Sequence, residues 1–147
     1  MENCAYMKKV IVEISSRQSG AQQRTESIEM KALGNHYVRG GICFVVYKET
    51  DEQTGIETST MLKIAADSLT LVRRGGVKQQ QLFAKGQVSV SDYATPYGTL
   101  KMRVKTHELS ISRLDDALHQ IKVDYDLYLN GSWQSRNELA VIVRPAD

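Results

Sequence analysis

The sequence predicts an all-β protein: an antiparallel meander of about eight to ten strands closed into a calycin- or lipocalin-like barrel. Three observations carry the all-β expectation. Apolar residues recur at every second position through most of the chain, the period of a strand with one buried face. No stretch of comparable length carries a helical stripe; Ser112 to Leu118 comes nearest, and its centre reads as a turn. Turn-forming clusters interrupt the chain at 18–20, 51–55, 65–68, 73–76, 95–98, 114–116 and 130–131. Short strands with frequent turns make a sandwich or a barrel, and a meander closed on itself removes exposed edges.

The strands follow in order. Val10, Val12 and Ile14 open the series, and Ile28, Met30 and Ala32 form the next. The run Ile42 to Tyr47 is apolar on both faces and reads as a central strand. Leu62 with Ile64 and Leu69 with Leu71 flank the turn at 65–68. "RRGG", Arg73 to Gly76, reads as a hairpin tip, from which "VKQQQLF" returns as a strand. Leu100, Met102 and Val104 alternate with Lys101, Arg103 and Lys105, and Leu109 and Ile111 follow. Ile121 to Leu129 alternates most cleanly, and Leu139, Val141 and Val143 come last.

Two details of register follow. A two-residue loop at Asn130-Gly131 would mix core and solvent faces, so a three-residue loop, Leu129 to Gly131, is expected. That loop pairs Lys122 with Glu138, Asp124 with Arg136 and Ile121 with Leu139. Asp124 is then a surface ion-pair partner and not a catalytic carboxylate. Apolar parity also changes from even at Val104 to odd at Leu109, which requires a bulge or turn between Lys105 and Glu108.

The chain of 147 residues is expected to form one domain over 1–147. Its net charge of +2 gives no electrostatic argument for nucleic acid. Two cysteines, Cys4 and Cys43, do not make a disulfide framework, and Cys43 is expected to be a buried thiol. No apolar run reaches membrane-spanning length and no secretory leader is evident, so a cytoplasmic protein without a membrane partner is expected.

No motif specifies chemistry. "RRGGVK" lacks the helix and the Ser or Thr of a phosphate-binding loop. His36, His107 and His119 are widely spaced and share no metal-binding pattern, so no metal and no cofactor are expected. No nucleophile elbow occurs, and no catalytic residue is assigned. Trp133 is expected to cover one barrel end. Among Gln79, Gln80 and Gln81, alternation sends at least one side chain inward. That implies either a polar lumen or a hairpin extending beyond the rim.

Arg73-x-Gly75-x-Val77-Lys78, Phe83, Gly86, Tyr93, Tyr97-Gly98-x-Leu100 and Val123-x-Tyr125-Asp126 together carry a resemblance over most of the chain. They resemble the YwiB-like family of bacterial proteins, a domain of unknown function with a calycin-like β-barrel. The resemblance implies fold, and by analogy with lipocalins and fatty-acid-binding proteins a small apolar or amphipathic ligand. It implies no catalytic residues.

The expected ligand-binding residues are Arg73, Lys78, Gln79, Gln81, Phe83, Tyr93, Tyr97 and Tyr125, with the arginine suited to a carboxylate or phosphate head. The alternative is a protein- or nucleic-acid-interaction module that uses Lys101, Arg103 and Lys105 on the outer face, although a solvated strand face explains those cations as well. The sequence leaves a homodimer open.

Overall fold

In the computed structural model, residues 7–20, 25–114 and 117–146 are described. Ten strands follow one another: β1 (Lys8–Gly20), β2 (Thr25–Arg39), β3 (Ile42–Thr50), β4 (Glu57–Ile64), β5 (Leu69–Gly75), β6 (Gln79–Phe83), β7 (Val88–Thr95), β8 (Gly98–Leu114), β9 (Ala117–Leu129) and β10 (Ser132–Pro145). All nine ladders are antiparallel, and the described residues contain no helix. Strand order runs β6-β5-β4-β3-β2-β1-β10-β9-β8-β7.

Curling this sheet brings β6 against β7. There Lys78 and Ala94 exchange backbone hydrogen bonds of 2.9 and 3.0 Å. The result is a nearly closed barrel, as the alternation predicts.

Inward positions repeat every second residue. Val10 and Val12 of β1, Val45 of β3, Leu62 and Ile64 of β4, Ile121 and Val123 of β9, and Val141 and Val143 of β10 form the core. The central-strand reading of Ile42 to Tyr47 holds, since β3 lies between β2 and β4. Its outward Phe44 stacks on Tyr37, centroids 5.0 Å apart.

The parity change is a bulge. Thr106 pairs with Tyr125 but Glu108 pairs with Asp124, which leaves His107 as the extra residue. The Asn130 hairpin needs correction. Its loop is two residues, with Asn130 at φ 49° and Gly131 at φ 88°, as a tight reversed turn requires. The face mismatch is repaired by a bulge between Trp133 and Ser135. Register therefore sits two residues from the expected one: Glu138 faces Asp124, Ala140 faces Lys122 and Leu139 faces Val123. The faces are unchanged, so Arg136 still reaches Asp124 diagonally, at 2.6 and 3.0 Å. This ion pair holds the Asp124 carboxyl below its ordinary range.

Two features lay outside the sequence expectation. The turn Gly40-Gly41, with φ of 60° and 79°, joins β2 to β3. Strand β7 reverses the usual polarity: Val88 and Val90 are 55% and 57% exposed, whereas Ser91 is buried. The turn region at 114–116 falls partly outside the described residues, and Cys4 lies wholly outside them. No described helix is long and apolar enough to cross a membrane, which says nothing of strands.

Candidate functional site

The β6–β7 seam settles which way the glutamines point. Gln79 and Gln81 are buried and Gln80 is exposed. Gln81 Nε2 donates to the Leu82 carbonyl at 2.9 Å and also to Ser89 Oγ. Its Oε1 accepts from Ser91 Oγ at 2.8 Å, and Ser89 Oγ donates to Leu82 O at 2.7 Å. Gln79 Nε2 lies 3.5 Å from Ser91 Oγ and 3.0 Å from Met102 Sδ. Side chains thus join two strands whose backbones share a single bridge. Gln81 belongs to a polar stretch of the interior and not to a hairpin overhanging the rim, and its amide is engaged in closure. The inward serines of β7 have the same cause, since short hydroxyls meet the glutamine amides.

One layer toward the rim the interior is polar and incompletely satisfied. Arg73 pairs with Gln79 across β5–β6 and with Thr60 across β4–β5, on the inward face. Thr60, Thr106 and Asn137 are 0%, 1% and 5% exposed. Among the described residues, Thr106 Oγ1, Asn137 Oδ1 and Arg73 Nε are buried without a hydrogen-bond partner, whereas the Thr60 hydroxyl lies close enough to hydrogen-bond the Tyr47 phenol, and the Asn137 amide does the same for Tyr125. Orphaned buried polar atoms cost about 1–3 kcal/mol each unless something fills the space between them. Among the described residues, no carboxylate lies in ion-pair range of Arg73.

The Arg73 charge acts instead on two buried phenols. Burial pushes Tyr47 up to about 12; Glu49 adds to the rise and Arg73 opposes it. Burial also raises Tyr125, whose ring tilts against Phe83 with centroids 5.0 Å apart.

The Tyr47 shift carries a pH signature. An unfolded phenol ionises near its ordinary value of 10, and the folded one near 12. The stabilisation from neutral Tyr47 is complete below pH 10 and is lost as pH rises through 12, about 3 kcal/mol in all. Urea midpoints measured from pH 8 to 11.5 should fall more steeply for the wild type than for Tyr47→Phe. Parallel curves would place the phenol in water.

Above this layer a recess of about 640 Å³ opens at the rim, with Met30, Ile56, Thr58, Val77 and Tyr97 on its wall and the Glu49 and Asp51 carboxylates on its outer part. Thr58, on its wall, shares a face of β4 with Thr60, which pairs with Arg73 across β4–β5. The structure separates the eight expected residues. Arg73, Gln79, Gln81, Phe83 and Tyr125 face inward; Tyr93 shares the face of Ser91 and is half-buried. Tyr97 stands at the mouth, 94% exposed. Lys78 precedes the inward Gln79, and its side chain is exposed. Its backbone supplies the seam's bridge.

The basic strand face is not a run of unpaired cations. Lys101 lies 3.9 Å from Asp92, Arg103 sits 4.2 Å over the Tyr128 ring, and Lys105 pairs across from Asp126. Trp133 also departs from expectation. It does not cap an end but lies on the outer face, where Nε1 donates to Asp126 at 3.1 Å. His107, aimed outward by its bulge, reaches the same carboxylate at 2.7 Å. Burial pushes Asp126 up, but hydrogen bonds from His107 and Trp133 outweigh it and leave the carboxyl below its ordinary range.

The three histidines share no spacing pattern, but the fold brings two of them together with a cysteine. His36, Cys43 and His119 lie on β2, β3 and β9, yet their donor atoms fall within 4.8 Å of one another. Curling makes neighbours of residues far apart in sequence, which spacing rules cannot register. Cys43 is only partly buried.

Fold and site together define a class: a ten-stranded antiparallel β-barrel with a polar, arginine-bearing layer beneath one mouth. The chain belongs to the family described as a domain of unknown function, DUF1934, which matches residues 12–141. It is similar to the uncharacterized beta-barrel protein YwiB of Bacillus subtilis (strain 168), with 23% identity over 116 residues, 79% of this chain and 80% of the relative. The crystal structure of ywiB protein from Bacillus subtilis shares the fold at a TM-score of 0.84 and 18% identity, over 96% of this chain and 94% of that one.

Proposed function

We propose that the barrel binds a small amphipathic molecule through the mouth, with its anionic head on Arg73 and its apolar body against Met30, Ile56 and Val77. The observation that carries this reading is the inward arginine, which among the described residues has no carboxylate in ion-pair range, with its Nε, Thr106 Oγ1 and Asn137 Oδ1 buried without partners. A carboxylate or phosphate would supply acceptors for the guanidinium and the hydroxyls. A recess of about 640 Å³ falls within the usual range for small-molecule sites. Tyr97 at the rim and Tyr125 below offer aromatic surface. Gln81 has no role in binding, because its hydrogen bonds are already used.

Calorimetric titration with laurate and with dodecyl phosphate tests the reading. Binding of at least one is expected, and Arg73→Met should weaken it about 10- to 100-fold, the worth of one charge-assisted hydrogen bond. The same substitution should raise the stability of the ligand-free protein by about 1 kcal/mol, since it removes an unpaired cation from a partly buried position. Equal binding by wild type and Arg73→Met, or binding by neither, would overturn the proposal.

A further inference from the structure

The end of the barrel away from the mouth holds a second constellation. His36 faces inward beside Val45, and Cys43 lies two residues from Val45 on the same face of β3. His119 faces inward from β9, 7% exposed. The Nε2 atoms of the two histidines approach to 3.2 Å, with ring centroids 5.3 Å apart. Two imidazole nitrogens bound tetrahedrally to one zinc stand about 3.3 Å apart, since each bond is about 2.0–2.1 Å. The pair is therefore already at chelating distance. The three donors span no more than 4.8 Å. A thiolate and an imidazole on one zinc stand about 3.6 Å apart, so closure takes roughly 1 Å of side-chain movement.

We propose that His36, Cys43 and His119 form a binding site for a borderline-soft transition-metal cation, represented by Zn²⁺, at the end of the barrel opposite the mouth. Two neutral nitrogens and one thiolate are the ligand types that select zinc over magnesium or calcium. Lys8 and Arg113 are the cations acting on the cluster, and a thiolate ligand offsets one positive charge. Three protein ligands leave one coordination position for water or a small ligand. The site is independent of the Arg73 layer.

Cobalt, zinc's spectroscopic stand-in, tests the site in the full chain after dialysis against a chelator. The expected result is tetrahedral-intensity visible bands with a sulfur-to-cobalt charge-transfer band. Cys43→Ser should abolish the charge-transfer band, and Cys4→Ser should preserve it. His119→Gln should weaken cobalt binding by at least about 100-fold, the upper end of what outer-sphere partners alone contribute. Zn²⁺, unlike Mg²⁺, should raise the thermal midpoint of the wild type but not of His36→Asn or Cys43→Ser, with far-ultraviolet dichroism confirming that each variant is folded. A weak octahedral spectrum, a charge-transfer band that survives Cys43→Ser, or equal zinc stabilisation in the variants would overturn the proposal. None of these outcomes bears on laurate binding, so the two sites are tested separately.

Discussion

Gly75→Ala should destabilise the barrel by about 3 kcal/mol or more, whereas Gly76→Ala, one residue later, should be far milder. Gly75 has φ of 139°, a conformation closed to side chains, and an added Cβ would overlap the Glu57 carbonyl oxygen and lie 2.8 Å from Thr58 Cα. Both obstacles are backbone of the neighbouring strand and cannot turn aside. Forbidden torsion and overpacking each cost about 1–3 kcal/mol. At Gly76, φ is unexceptional, and the nearest obstacle is Ile56 Cγ2 at 2.8 Å, a side-chain methyl that can rotate. Urea unfolding of the two variants makes the comparison. Equal losses would show that β4 and β5 are not so closely apposed at the rim. The glycine pair of "RRGG" thus divides its labour: Gly75 permits close backbone approach, and Gly76 lines the recess above Arg73.

Gln81→Leu should cost about 2–4 kcal/mol, with the loss concentrated at one junction. The substitution removes the amide that contacts Ser89, Ser91 and the Leu82 carbonyl, and each buried group left unsatisfied costs about 1–3 kcal/mol. Gln80→Leu, on the exposed face, should stay within about 0.5 kcal/mol. Hydrogen exchange sharpens the distinction. Amides of β6 and β7 should lose protection in Gln81→Leu while those of β1 and β10 keep theirs. Uniform loss across all strands would mean that closure is not local to the glutamine.

The strand rhythm was legible in the sequence wherever one face is apolar. Ile121 to Leu129 and the His107 bulge could be read directly, because a period of two exposes any insertion as a change of parity. Strand β7 could not be read that way. From Val88 to Ser91 its inward residues are serines and its outward ones valines, since its partner offers a glutamine amide. Alternation reports burial, and here the buried side is hydrophilic. The Asn130 turn shows a different limit. Two repairs restore the same faces, a longer loop or a later bulge, and periodicity does not distinguish them. Arg73 and Tyr125 could be proposed as candidates from their motif, but Thr60, Thr106 and Asn137 carry no local signal, and only closure brings them together. His36, Cys43 and His119 illustrate the same point from the opposite end.

The ladder between β1 and β10 differs in kind from the others. It joins Val10 to Pro145 and continues to Gly20 with Ser135. Among the described residues, it is the one ladder between strands that are not sequence neighbours. Hairpin pairing lets each of the other strands find its partner as soon as the next segment exists. On a ribosome β1 has only β2 to pair with until β10 has been synthesised, and its other edge stays open meanwhile. Non-local pairing is slow and leaves unpaired edges for other chains to find. The interval between translation of β1 and release of β10 is therefore when that edge is most open to other chains, and slowing synthesis late in the message lengthens it.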